Sequence, residues 1–112
     1  MTKVALGVLA AGLMAFTGCS GKKAASDKIK IAILTDVTGD FSSYGIQASI
    51  GTKLAVDEIN AAGGINGKQI ELIQYDTQTD NTVYQEMARK VCLEDKVDMV
   101  IAGISSASRE AI

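Results

Sequence analysis

The sequence predicts an α/β fold built on a parallel sheet, with the element order β-α-β-α-β. Three short segments rich in apolar residues have the length of strands, and the two longer segments between them repeat apolar residues at helical spacing. The runs are residues 28–34, 69–76 and 97–102. Strands that alternate with helices of this length are joined by right-handed crossovers, which make the sheet parallel. A further helix is expected to begin after the third strand.

The first strand leads into a polar loop that carries aromatic residues. Residues 28–34 alternate lysine with isoleucine and then become continuously apolar, as in a strand that enters a buried sheet. The loop runs from Asp36 to about Ser43 and brings Phe41 close to Tyr44. Polar loops seldom need aromatic rings, so the pair predicts one wall of a ligand site. The alternative is that both rings pack against the base of the loop.

The first helix is predicted from Tyr44 to about Ala62, with a stripe of small and apolar residues against the sheet. The stripe consists of Ala48, Gly51, Ala55, Ile59 and Ala62. Gly63-Gly64 is expected to end this helix, because glycine adopts the left-handed conformation at little cost. Asn66-Gly67 then predicts a turn into the second strand.

The second helix is expected to run from about residue 82 to Glu94. Asp80 or Thr82 can cap it, and Thr82 with Gln85 has the spacing of a capping box. Its predicted buried face consists of Val83, Met87, Ala88, Val91 and Cys92. Cys92 is therefore expected to be a buried, unreactive thiol. The apolar end of the third strand predicts burial on both faces.

Residues 1–18 have the features of a bacterial lipoprotein signal peptide. A short basic start precedes an apolar run, residues 4–16, which is shorter than the ~20 residues that span a bilayer. Small residues then precede Cys19, which predicts cleavage before this cysteine and its lipidation; the alternative is an ordinary signal peptide with an incidental cysteine. Residues 19–27 are polar and small and predict a flexible tether. We therefore expect an exported protein, in the periplasm or at the cell surface, anchored to the membrane by lipid.

Composition excludes several functional classes. The formal net charge is −2 and the pI is near 5.0, so no basic face is available for nucleic acid. The chain has no histidine, which removes the commonest catalytic base and the imidazole metal ligand. The sequence predicts neither an enzyme, a metal site nor a cofactor.

The candidate site lies in three polar loops at the carboxyl ends of the strands, where open parallel sheets bind ligands. These loops are residues 35–44, 76–81 and 103–108. The third is the most specific, because Gly103 permits close approach while Ser105 and Ser106 offer hydroxyls beside backbone N–H groups. The alternative role for these serines is N-capping of the following helix.

A dinucleotide-binding enzyme is the distant competing interpretation. Asp76 closes the second strand, where such folds place the acid that binds ribose. Gly39 and Gly45 do not form the phosphate-binding glycine motif, and the first loop is too long for its tight turn. Asp76 is therefore predicted to cap a loop.

Several segments resemble the start of the type I periplasmic binding proteins of the leucine/isoleucine/valine and amide/urea group. They are residues 29–33, Thr38-Gly39, Tyr44-Gly45, the stretch GTKLAVDEINAAGGING at residues 51–67, and Ile104-Ser105-Ser106. The resemblance covers residues 28–112 and implies the incomplete N-terminal lobe of a two-lobe fold. It also implies that Tyr44 lines the cleft and that Ser106, with Ser105 beside it, binds the carboxylate or amide of the ligand.

The implied role is capture of a branched-chain amino acid, an amide or urea for the permease of an ABC importer. The sensor domain of a membrane receptor would share the same lobe. The sequence departs from the family's pattern at Asp40 and Asn81, where proline is frequent, and at Thr79 and Ser105, where some members have a disulfide. Residues 106–110 resemble the amide/urea branch more than the leucine branch.

Overall fold

A computed structural model of the chain describes residues 27–112. The predicted signal peptide and Cys19 lie outside the described residues, as does all of the tether but its last residue. The elements are β1 (Lys28–Thr35), α1 (Ser42–Ala61), β2 (Gln69–Asp76), α2 (Asn81–Arg89) with a π-helical turn (Lys90–Glu94), β3 (Met99–Ala102) and α3 (Ser106–Ala111). The predicted element order is confirmed.

The strands form one parallel sheet in the order β2-β1-β3. β1 pairs with β2 from Lys28 opposite Gln69 to Thr35 opposite Asp76, and with β3 from Ile31 opposite Met99 to Leu34 opposite Ala102. Because the strands are parallel and end in register, the loops that follow them emerge at one edge of the sheet. This confirms the predicted parallel α/β architecture and places the three candidate loops side by side.

Alternation along the central strand β1 builds one small core on each face of the sheet. Ala32 and Leu34 pack with Tyr84 and Val91 on the face that α2 covers. Ile31 packs with Val56 of α1 and Ile70 of β2 on the other face. Each of the two helical segments therefore packs against the sheet, one on each face, as predicted.

The face that α1 turns to the sheet differs from the predicted stripe, all of whose residues are exposed. The inner face instead consists of Ser42, Gly45, Ser49, Thr52, Val56 and Asn60. Polar residues suit this face because β2 is an edge strand with backbone groups to satisfy. The Asn60 side chain donates to the Ile70 carbonyl at 2.9 Å and accepts from the Ile70 N–H at 2.7 Å. The Ser49 hydroxyl donates to Gln74 on the same strand at 2.7 Å.

Three residues of the predicted stripe, Gly51, Ala55 and Ile59, line an open apolar groove instead. α1 packs mainly on β1 and β2, and within residues 27–112 the neighbouring face of β3 is left open. The groove has a volume of about 440 Å³ and lies between Gly51, Ala55 and Ile59 on α1 and Met99 and Ile101 on β3. The prediction that β3 is buried on both faces is accordingly wrong for these residues, since Met99 remains 48% exposed.

The second helical segment departs from α-helical geometry after Arg89. Asp80 caps it by accepting from the backbone N–H groups of Thr82 and Val83 at 2.7 and 3.1 Å. Of the two predicted caps, Asp80 is therefore the one present, and the capping box of Thr82 with Gln85 is not. The π-helical turn changes the angular spacing of the side chains, so the face predicted from α-helical periodicity ends at Val91. Cys92 is exposed, contrary to the predicted buried thiol.

None of the helices in residues 27–112 is long and apolar enough to span a membrane.

Candidate functional site

The carboxyl edge of the sheet gathers the loop from Asp36 to Phe41, the loop from Thr77 to Asp80 and the turn from Gly103 to Ser105. The first two are joined through a buried carboxylate. Asp36 accepts hydrogen bonds from the Thr77 hydroxyl and, at 3.1 Å, from the Thr79 backbone N–H. The Thr79 hydroxyl in turn accepts from the Phe41 N–H at 3.1 Å. These bonds fix the loop that carries the aromatic pair against its neighbour.

Asp76 performs the loop-capping role predicted for it. Its carboxylate accepts from the backbone N–H groups of Val37 at 2.9 Å, Thr38 at 3.1 Å and Gln78 at 3.0 Å, and from the Thr38 hydroxyl at 2.7 Å. Desolvation alone would raise the pKa of Asp76, but the bonds from Thr38, Gln78 and Val37 together lower that pKa below its usual value. With its oxygens occupied in this way, Asp76 is poorly placed to bind a ribose.

Ser105 and Ser108 form a capping box at the start of α3. The Ser105 hydroxyl accepts from the Ser108 N–H at 3.0 Å, and the Ser105 N–H donates to the Ser108 hydroxyl at 3.0 Å. Ser105 therefore fulfils the capping alternative, and its side chain is partly exposed. Ser108, which the sequence did not mark as a structural residue, is buried.

Ser106 is the exposed first residue of α3. Its hydroxyl oxygen accepts a hydrogen bond from Nη2 of Arg109 at 3.0 Å. That bond uses an acceptor position and leaves the hydroxyl proton of Ser106 available to a ligand. A guanidinium beside this hydroxyl makes the position favourable for an anionic group.

Tyr44 lies in the first turn of α1 with 65% of its surface exposed. Its ring centroid is 6.3 Å from that of Phe41, with the planes tilted by 53°. Such exposure does not fit the alternative in which the Tyr44 ring packs against the base of the loop. The pair presents an aromatic surface at the same edge of the sheet as the serine turn.

Hydroxyl, carboxylate and aromatic side chains line this edge of the sheet. Within residues 27–112 no group of three or more metal-ligating side chains comes together. Two of the carboxylates at this edge, Asp36 and Asp76, are engaged by hydroxyl and backbone donors. Three buried residues beneath this edge were not predicted from the sequence: Asp36, Thr77 and Tyr84. The sequence marks the first two only by their position, because each directly follows a strand.

A parallel α/β lobe whose carboxyl edge presents hydroxyls and an aromatic surface is suited to binding a small molecule. The profile of the family described as periplasmic binding protein matches residues 28–112, and the chain belongs to that family. This is a family of solute-binding proteins. The relationship confirms the resemblance seen in the sequence.

Relatives and solved structures agree with this assignment. The chain is 37% identical over 97 residues to the leucine-, isoleucine-, valine-, threonine- and alanine-binding protein of Pseudomonas aeruginosa, covering 87% of this chain and 26% of the relative. It is 33% identical over 87 residues to the Leu/Ile/Val-binding protein of Escherichia coli K12, covering 78% and 23%. The chain thus spans about a quarter of the length of these relatives.

The fold is also similar to that of a solved ligand complex. This structure is the substrate-binding protein of a branched-chain amino acid transporter from Streptococcus pneumoniae, in complex with isoleucine. The TM-score is 0.73 at 36% sequence identity, with 75% of this chain and 24% of the solved chain covered.

Proposed function

We propose that the protein to which this chain belongs captures a branched-chain amino acid outside the cytoplasm and delivers it to the permease of an ABC importer. The observation that carries the proposal is the similarity, over most of the chain, to proteins named for binding leucine, isoleucine and valine. The same similarity favours a branched-chain amino acid over the amide or urea that the sequence left open. No catalytic role is proposed, because the chain belongs to a family of solute-binding proteins.

The proposed ligand contacts are Ser106, Ser105 and Tyr44. The available proton of the Ser106 hydroxyl would be donated to the carboxylate of the amino acid, with Arg109 favouring the negative charge. Ser105 would line the site while its capping box holds the turn in shape. The exposed ring of Tyr44 would cover the apolar part of the ligand.

We further propose the domain arrangement expected from the sequence. Residues 1–18 would be the signal peptide, residues 19–27 a tether that begins with lipidated Cys19, and residues 28–112 the incomplete N-terminal lobe. The last assignment is supported by the uncovered apolar groove between α1 and β3 and by the fraction of the relatives that the chain spans. The lipid would hold the protein at the outer side of the membrane.

Replacement of Ser106 by alanine tests the proposed site. In the full-length protein, Ser106→Ala is expected to weaken isoleucine binding by about 1 to 3 kcal/mol, which is roughly 5- to 150-fold. The cause is a ligand carboxylate left without its hydroxyl donor in a closed site. Isothermal titration calorimetry with isoleucine measures the affinity, and thermal unfolding measures stability.

Ser49→Ala is the matched control, because it removes a hydroxyl that bonds Gln74 on the covered face of α1. This variant is expected to lose a little stability and no affinity. Unchanged isoleucine affinity in the Ser106 variant would show that Ser106 does not contact the ligand.

A further inference from the structure

Thr79 has an unusual backbone conformation in the loop between β2 and α2. Its φ is 57°, in the left-handed region, and the φ of Gln78 before it is 56°. A β-branched residue rarely adopts this conformation, whereas asparagine or glycine would do so at a lower energetic cost. Such strain persists only where surrounding contacts hold it, and it clusters at functional sites. The turn by itself therefore does not favour threonine at this position.

The backbone N–H and the hydroxyl of Thr79 both bond the loop that follows β1. The N–H donates to Oδ1 of Asp36 at 3.1 Å, and the hydroxyl accepts from the Phe41 N–H at 3.1 Å. The two loops also approach closely at Gly39, where a Cβ atom would lie 2.6 Å from the Thr79 hydroxyl oxygen. Thr79 is thus bonded to both ends of the loop from Asp36 to Phe41.

Phe41 is the residue at which this loop passes into α1. It occupies the N-cap position of the helix, and its side chain makes no capping hydrogen bond. The Tyr44 N–H donates to the Phe41 carbonyl at 3.0 Å, and the centroids of the two rings lie 6.3 Å apart. Because the Phe41 backbone is bonded to Thr79 through its N–H and to Tyr44 through its carbonyl, the Thr79 hydroxyl holds the start of the aromatic surface in place.

We propose that Thr79 is a positioning residue that holds the rings of Phe41 and Tyr44 where they meet the apolar part of the ligand. This inference rests on the proposed function, in which Tyr44 covers that part of the ligand. The strained turn brings the Thr79 hydroxyl to the Phe41 N–H, and the bond between them orders the rings before the ligand arrives. Less conformational freedom is then lost on binding, so Thr79 increases affinity without contacting the ligand.

Thr79→Val removes the hydroxyl and keeps the branched shape of the side chain. In the full-length protein we expect isoleucine to bind about five-fold more weakly, the effect of one net hydrogen bond. Thr79→Ser restores the hydroxyl and is expected to bind isoleucine as the wild type does. Titration calorimetry measures the affinities, and thermal unfolding without ligand shows whether each variant is folded.

A background without the two rings distinguishes the positioning of the rings from a general effect on the loops. In the Phe41→Ala Tyr44→Ala background Thr79 has no ring to position. Thr79→Val is therefore expected to weaken isoleucine binding no further in this background, because residues that act as one unit are not additive. The same calorimetric titration provides the measurement.

Tyr75→Phe is the control for loss of a hydroxyl hydrogen bond elsewhere in the fold. The Tyr75 hydroxyl donates to the Asp95 carboxylate at 2.9 Å. This variant is expected to lower the melting temperature and to leave isoleucine affinity unchanged.

The outcomes separate the inference from the function on which it rests. Equal isoleucine affinity of the wild type and the Thr79→Val variant overturns the inference, and so does a five-fold loss that persists in the background without the rings. Failure of Thr79→Ser to restore the affinity overturns it too. Absence of isoleucine binding by the wild type contradicts the proposed function, and the inference falls with it.

Discussion

Gly45→Ala is expected to destabilise the protein by about 3 kcal/mol, at the upper end of the usual effect of overpacking. Gly45 is buried in the first turn of α1, where the helix crosses the carboxyl end of β1. A Cβ atom at this position would overlap the backbone carbonyl of Asp36, and backbone atoms cannot rotate away as a side chain can. Either α1 must move off the sheet or the loop at Asp36 must shift. Both changes disturb the candidate site as well as the core.

Gly51→Ala provides the control within the same helix. Among the described residues no atom lies within 4 Å of the Cβ position at Gly51, so within this part of the chain only the helical preference of alanine over glycine remains. That preference stabilises by about 1 kcal/mol. Urea unfolding of the full-length variants measures both effects. Equal stability of the Gly45 variant and the wild type would contradict the close approach of α1 to β1.

Cys19→Ala is expected to move the protein from the membrane fraction to the soluble fraction. A buried lipid chain contributes roughly 0.8 kcal/mol for each methylene group, so its loss removes most of the attraction to the bilayer. The measurement is fractionation of cells that express the full-length protein, followed by immunoblotting. Signal-peptide cleavage is read from the same blot as a change in mobility.

Cys92→Ala is the control, because it removes the other cysteine of the sequence from an exposed position. This variant is expected to remain with the membranes. If the Cys19 variant also sediments with the membranes, Cys19 is not the attachment point.

The fold was predictable from the sequence because its strongest signals are local. Apolar residues over the length of a strand predict that strand, and the Gly63-Gly64 pair predicts the end of α1. Both glycines adopt the expected positive φ, 104° and 79°. The sheet-facing side of α1 was not predictable from periodicity. The side chains of Asn60 and Ser49 are polar, but they face the sheet because the edge strand β2 offers them hydrogen-bond partners. Asn60 bonds the backbone of this strand, and Ser49 bonds a side-chain amide on it.

The position of the candidate site was also predictable, whereas the hydrogen bonds that join its loops were not. Polar loops after parallel strands indicate the carboxyl edge from sequence alone. The contact between Asp36 and Thr77 joins residues that are far apart in the chain, so no spacing pattern marks it. Cys92 is exposed and lies in a π-helical turn, and α-helical periodicity does not predict such a turn.

The proposed binding of a branched-chain amino acid is tested most directly by thermal unfolding of the full-length protein with isoleucine, urea or NAD. Isoleucine at about 100 times its dissociation constant is expected to add roughly 2.7 kcal/mol of stability. Urea at low millimolar concentration and NAD are expected to leave the melting temperature unchanged. Stabilisation by NAD alone, with no effect of isoleucine, would contradict the account.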